Sequence, residues 1–153
     1  MTALDPSLSE EEQIEEMKDC YSIFDRVGDM KVEDKRLIDV LRSLGLNPLT
    51  DDVEKCIEAS KLKGTRVDFE TFYGIFKQLA KTPATGSYED MVEGLGTMDR
   101  DTSGVVNSAE LRMVLMNIGD KMTEDQIEPI VQPHEDASKS VVYRDMIRRV
   151  MAA

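Results

Sequence analysis

Tryptophan is absent from this 153-residue chain, and aromatic residues make up only 5% of it. Histidine occurs once, at His134, and cysteine twice, at Cys20 and Cys56. With one histidine there is no Ser/His/Asp or Cys/His arrangement backed by a motif, and Gly94 and Gly96 are followed by neither a third glycine nor a phosphate-loop lysine. The chain is therefore expected not to be an enzyme. The cysteines are far apart and form no Cys-x-x-Cys pair, which reads as two reduced thiols of a cytosolic protein. No apolar run approaches the roughly 18 residues of a membrane span, and residues 1–12 have neither the basic region nor the apolar stretch of a signal peptide. Positive charge is also scarce. Nineteen Lys and Arg face 31 Asp and Glu, a net charge of −12. Such a chain repels phosphate backbones and anionic headgroups, so no nucleic acid and no membrane is expected as a partner. It attracts a cation or a basic partner and speeds encounter with either.

What the chain does have is methionine, ten in all, and a 41% hydrophobic content that can build a core. It also has internal repeats. Four β-branched residues in polar loops, Val32, Val67, Val106 and Val141, are separated by 35, 39 and 35 residues, and each precedes a helical pattern. First to third and second to fourth are both 74 apart, a pair of pairs. Leu37, Val40, Leu41, Leu44 and Gly45 align with Leu111, Val114, Leu115, Ile118 and Gly119. That spacing makes one face of an amphipathic helix stopped by glycine.

Ser9/Glu12, Ser87/Asp90, Asn107/Glu110 and Thr123/Gln126 resemble capping boxes. Thr50, followed by Asp51 and Asp52, starts another helix. Eight helices are expected, over 9–24, 34–45, 50–59, 69–81, 87–98, 108–119, 123–132 and 143–152. Pro129 should kink or shorten the seventh. Strand content should be confined to pairing between the valine loops. The fold class is all-α: four helix–loop–helix units in two pairs, with minimal β pairing. The N-terminal lobe is expected over 9–80 (units 9–45 and 50–80), a linker over 81–86 around Pro83 and Gly86, and the C-terminal lobe over 87–153 (units 87–119 and 123–152). Residues 1–81 hold 12 basic and 18 acidic residues and 82–153 hold 7 and 13, so each lobe carries −6.

The third loop, Asp99 to Glu110, fits the EF-hand calcium pattern. Ca²⁺ takes six to eight oxygens on a flexible arc closed by a bidentate carboxylate. Asp99, Asp101 and Ser103 stand at positions 1, 3 and 5, and Gly104 at the sharp turn. Val105 offers its carbonyl, Asn107 a water-mediated contact, and Glu110 the closing carboxylate. The other loops have lost this chemistry. The first keeps Asp25 and Asp29 but has Val27 at position 3, Met30 at the turn and Arg36 at position 12, where a cation opposes a metal. The second offers Ser60, Leu62, Gly64 and Thr71, almost no ligands. The fourth begins at His134, keeps Asp136 and Ser138, puts Lys139 at the turn and ends at the shorter Asp145. These three are expected to be metal-free. A calcium switch needs ligands that bias a bistable helix pair, whereas a static clamp needs only the helices.

The pattern resembles the essential (alkali) light chains of myosin over nearly the whole chain. The most specific stretches are Phe24-Asp25-Arg26-Val27-Gly28-Asp29, Leu44-Gly45-Leu46-Asn47-Pro48, Val67-Asp68-Phe69-Glu70-Thr71-Phe72, Tyr88-Glu89-Asp90-Met91-Val92-Glu93-Gly94-Leu95, Gly119-Asp120-Lys121-Met122-Thr123-Glu124 and His134-Glu135-Asp136. The resemblance implies two EF-hand lobes wrapping the IQ-motif helix of a myosin heavy chain, the C-terminal lobe on its first part and the N-terminal lobe on the later part. It implies a lever arm stiffened by that clamp, a regulatory light chain on the next segment, and a cytoplasmic location in the muscle myofibril or myosin filament. Only eight residues precede Ser9 and none is basic, so no actin-binding N-terminal extension is expected.

All four phenylalanines, Phe24, Phe69, Phe72 and Phe76, fall in the N-terminal lobe, and seven methionines in the C-terminal one. Phenylalanine fills a core rigidly and methionine adapts to irregular surfaces, so the C-terminal lobe should hold the softer, more open groove. Met91, Leu95, Met98, Leu115, Met116, Met146 and Val150 are the candidates for the grip on a target helix, with Glu93, Asp120, Glu124 and Glu128 facing its arginines. No cofactor is required on this reading. A weak Ca²⁺ or Mg²⁺ site stays open at Asp99, Asp101, Ser103, Val105, Asn107 and Glu110. The rival reading is a calcium sensor of the calmodulin or troponin C type working through this loop.

Overall fold

Val32 pairs with Val67 and Val106 with Val141, each across a short antiparallel ladder. In the computed structural model, which describes residues 7–82 and 86–152, these ladders tie the loops of successive repeats. The expected linker runs onto residues 83–85, outside the described residues. The chain divides there into two compact units, Met1–Thr85 and Gly86–Ala153.

In the N-terminal unit the order is α1 (Glu10–Phe24), β1 (Lys31–Glu33), α2 (Leu37–Ser43), α3 (Thr50–Ala59), β2 (Arg66–Asp68) and α4 (Phe69–Ala80). In the C-terminal unit it is α5 (Tyr88–Gly96), β3 (Val106–Asn107), α6 (Ser108–Asn117), α7 (Glu124–Val131), β4 (Ser140–Val141) and α8 (Tyr143–Ala152). The fold is all-α with two minimal strand pairs among the described residues, as the valine spacing predicts. Reciprocal capping boxes start α1 at Ser9 with Glu12 and α5 at Ser87 with Asp90. Asn107 caps α6 one-sidedly, its Oδ1 accepting from the Ala109 and Glu110 N–H groups.

Two helix ends differ from expectation. Residues 34–36 form a 3₁₀ turn ahead of α2. The cause is Asp34, whose N–H donates to the Thr65 carbonyl and whose Oδ2 accepts from Gly64 N–H at 2.7 Å, so this turn is tied to the second loop. Gly45 stops α2 as predicted: at φ 89° it lets its own N–H reach the Arg42 carbonyl and that of Leu46 the Leu41 carbonyl. Its repeat partner Gly119 does not cap α6, because Ile118 has already turned extended. The seventh helix follows expectation: α7 contains Pro129 and ends at Val131, and the chain continues as a 3₁₀ turn over Gln132–His134. Pro129 has no N–H to give the carbonyl four residues back, and the α-helix runs only as far as Val131 beyond it.

Each unit has its own core. In the N-terminal unit Tyr21 and Phe72 are fully buried, their ring centroids 4.8 Å apart, with Leu37, Val40 and Leu41 around them. The Tyr21 hydroxyl donates to the Val67 carbonyl and fastens α1 to β2. In the C-terminal unit Leu111, Ile127, Val131 and Val141 are buried, with Tyr143, Met146 and Ile147 beside them. No helix of the described residues is long and apolar enough to cross a membrane.

Candidate functional site

The helices of the C-terminal unit leave an apolar groove of about 640 Å³ open on one side. Helical spacing builds its walls. Met91 and Leu95 stand one turn apart on α5, and Met98 follows a turn later in the tight segment after it. Val114 and Leu115 continue the α6 stripe that starts at the buried Leu111, and Ile118 extends it. Met146, Ile147 and Val150 face in from α8, and Met122 and Ile130 complete the lining. Ile118 is 66% exposed and Val150 44%, while Met146 lies at the buried floor. This is an apolar surface left open to solvent on one side.

Of the seven apolar candidates, the structure brings six together here: Met91, Leu95, Met98, Leu115, Met146 and Val150. Met116 does not line the groove; it is exposed beside it on the helix. Sequence reasoning missed Val114, Ile118, Met122, Ile130 and Ile147, although the first two belong to the same 3–4 spacing as Leu111 and Leu115. Among the acidic candidates, Glu93, Asp120 and Glu124 are exposed. Glu128 is placed otherwise than expected. Arg112 on α6 binds it through Nε–Oε1 at 2.7 Å and Nη2–Oε2 at 3.2 Å, so it joins α6 to α7 instead of meeting an outside arginine. The same guanidinium reaches Glu135 at 2.7 Å, and Lys139 adds a 2.6 Å bond to that carboxylate. Lys139, then Arg112, then Ser108 hold Glu135 down at about 2.

The third loop is ordered through its first residue. Asp99 is buried, with Oδ1 accepting from the Ser103 N–H and hydroxyl and Oδ2 from Gly104 N–H at 2.7 Å. Burial acts to raise its pKa, but those donors and the Arg144 charge outweigh it and hold the carboxyl below its ordinary value. Asp101, Ser103 and Glu110 are exposed, Val105 is half-buried, and the Asn107 side chain is spent on the α6 cap. Among the described residues no three His, Cys, Asp or Glu side chains gather as a metal site would need.

A second groove, of about 470 Å³, lies in the N-terminal unit between α1 and the end of α2. Cys20, Ile23, Phe24 and Leu44 line it, with Glu16 and Asp19 at its edge. Ile23 is 80% exposed. Its signal in the sequence is an apolar residue off the α1 core stripe of Ile14, Met17, Tyr21 and Phe24. Both cysteines are free thiols, and burial raises their pKa values, which makes them poor nucleophiles at neutral pH.

Comparisons with known proteins bear on what occupies such grooves. No protein-family model matches the chain. It is 39% identical over 144 residues to human myosin light chain 6B, covering 92% of this chain and 69% of that one. It is 37% identical over 145 residues to human myosin light polypeptide 6, covering 93% and 96%. It is 36% identical to the skeletal muscle isoform of myosin light chain 1 from Chelon ramada, covering 92% and 77%. Among solved structures it is similar to the Physarum polycephalum myosin II regulatory domain, with a TM-score of 0.72, 26% identity and coverage of 92% and 94%. It is also similar to Mlc1p bound to IQ2 of Myo2p, a class V myosin, with a TM-score of 0.67, 27% identity and coverage of 87% and 95%.

Proposed function

The chain belongs to the myosin light chains, and from that premise we propose that it is an essential light chain whose two units hold the IQ-motif helix of a myosin heavy chain. The observation that carries this is the C-terminal groove: an apolar trough, mouthed by Ile118 and Val150, on a chain of charge −12. An amphipathic helix laid in it buries its apolar face, and burial at roughly 25 cal/mol per Å² supplies most of the affinity. Glu93, Asp120 and Glu124 add rim charges that set encounter rate and register toward a basic helix. The N-terminal groove, with Glu16 and Asp19 beside Ile23, offers a second apolar and acidic surface of the same kind. A heavy-chain helix held this way resists bending, which is what a lever arm requires.

On this reading the protein is not an enzyme, and its hold on the heavy chain does not depend on calcium. Three of the four loops have lost the ligand pattern, so calcium lacks the oxygens to operate both units. A weak Ca²⁺ or Mg²⁺ site at the third loop adjusts local order there at most. A regulatory light chain occupies the adjoining heavy-chain segment, and the complex works in the cytoplasm, in the myosin filament of the myofibril. The test is co-elution from a sizing column with a synthetic IQ-motif helix in EGTA, beside a scrambled peptide of equal charge. A stable complex with the IQ helix alone supports the proposal. Equal retention of both peptides, or of neither, contradicts it.

A further inference from the structure

In an EF-hand loop the oxygens at positions 1, 5 and 7 are offered to the cation, the last from the backbone. In the first loop these are Asp25, Asp29 and the carbonyl of Lys31. A single side chain of the second loop takes all three. Arg66 donates from Nη2 to Asp25 Oδ1 at 3.0 Å and to the Lys31 carbonyl at 2.7 Å, and from Nη1 to Asp29 Oδ2 at 2.6 Å. We propose that Arg66 is the resident cation of the first loop, a guanidinium borne by the chain itself that holds the loop in its closed form in place of a metal.

Three observations support this. First, the loop has the turn of a metal loop although it lacks the usual glycine. Gly28 and Met30 are left-handed at φ 85° and 56°, and 74 residues on, Thr102 and Gly104 in the third loop are left-handed at 52° and 83°. A methionine in that region is strained, and strain persists only where its surroundings fix it. Second, Asp25 is the fixing point. Its side chain is 3% exposed and accepts from the N–H groups of Val27, Gly28 and Met30 besides Arg66. A carboxylate so enclosed needs a counter-charge, and Arg66 provides it. Third, the loop does not fit a metal: Val27 and Arg36 stand at positions 3 and 12, where oxygens are wanted. The planar fork of arginine suits this task better than a lysine, since it meets several oxygens at once. The inference rests on the N-terminal unit alone and does not require the heavy-chain reading.

The experiment is hydrogen exchange on the full chain, read at the amides of Val27, Gly28 and Met30, with Leu41 and Ile57 as reporters of the surrounding core. In the parent protein, millimolar calcium should leave the three loop amides unchanged. Arg66→Gln should speed their exchange by roughly tenfold or more, with the core amides still protected. Arg66→Lys should lie between, and it is the informative variant if Arg66→Gln unfolds the unit. Loop exchange within about twofold of the parent in both variants would overturn the proposal. So would slowing of the parent's loop amides by calcium, or equal acceleration of loop and core amides in both variants, which would make Arg66 a general structural contact.

Discussion

Arg112 on α6 grips both oxygens of Glu128 on α7, at 2.7 and 3.2 Å, and a third bond at 2.7 Å carries it on to Glu135. One guanidinium thus joins two helices and the start of the fourth loop. Arg112→Ala is expected to lower the unfolding midpoint of the C-terminal unit by several degrees. Most of that loss should come from leaving Glu135 without one of its partners. A double-mutant cycle with Glu128→Gln, read by urea denaturation, should show that the two substitutions do not add.

Acid should unfold the same unit through Glu135. Its carboxyl is held at about 2 by Lys139, Arg112 and Ser108, against an ordinary value of 4.5. A carboxyl depressed in the folded state stabilises fully above its unfolded pKa and loses that contribution as pH falls through the folded one. The C-terminal unit should therefore lose stability progressively between about pH 4.5 and pH 2. Glu135→Gln should flatten that part of the curve, as measured by thermal melts across the range.

Tyr21 offers a test in the other unit. Burial pushes its phenol up to about 12, so the hydroxyl remains a donor to the Val67 carbonyl throughout the accessible pH range. Tyr21→Phe keeps the ring against Phe72 and removes only that bond. It should cost about 1 kcal/mol of stability in urea denaturation, without loss of the fold.

The groove prediction separates Ile118 from Met116, two positions earlier in the sequence. Ile118→Glu and Val150→Glu place charges at the mouth of the trough. Each should weaken binding of an IQ-motif helix roughly 10- to 100-fold, from the loss of about 1.5–3 kcal/mol of apolar burial. Both side chains are already exposed, so stability should hardly change. Met116→Ser should leave binding close to that of the parent. Isothermal titration with each variant checks all three.

Much of the fold was legible because repetition exposes it. The capping residues of α1 and α5 are local features and the valine register follows from the repeat, and both appear where the sequence puts them. Six of the seven apolar grip candidates meet for the same reason, since helical spacing alone aligns them. What was not legible depends on partners far apart in the chain. Glu128 reads as a rim acid until α6 lies against α7, and Arg66 as an ordinary strand residue until its loop meets Asp25, 41 residues earlier. Ile118 and Gly119 mislead in another way: the repeat predicts the same glycine stop as at Gly45, but Ile118 has left the helix and joins the groove wall. The N-terminal groove went unseen because Ile23 lies off the stripe that builds the core.

The central claim is that this light chain holds a basic heavy-chain helix by apolar grooves that need no calcium. Its most direct test is a calorimetric titration of the full chain with an IQ-motif helix, once in EGTA and once in calcium. The account predicts tight binding in both, with affinities agreeing within about threefold, a difference of roughly 0.6 kcal/mol. Binding that appears only in calcium would contradict it and make the chain a calcium sensor acting through its third loop.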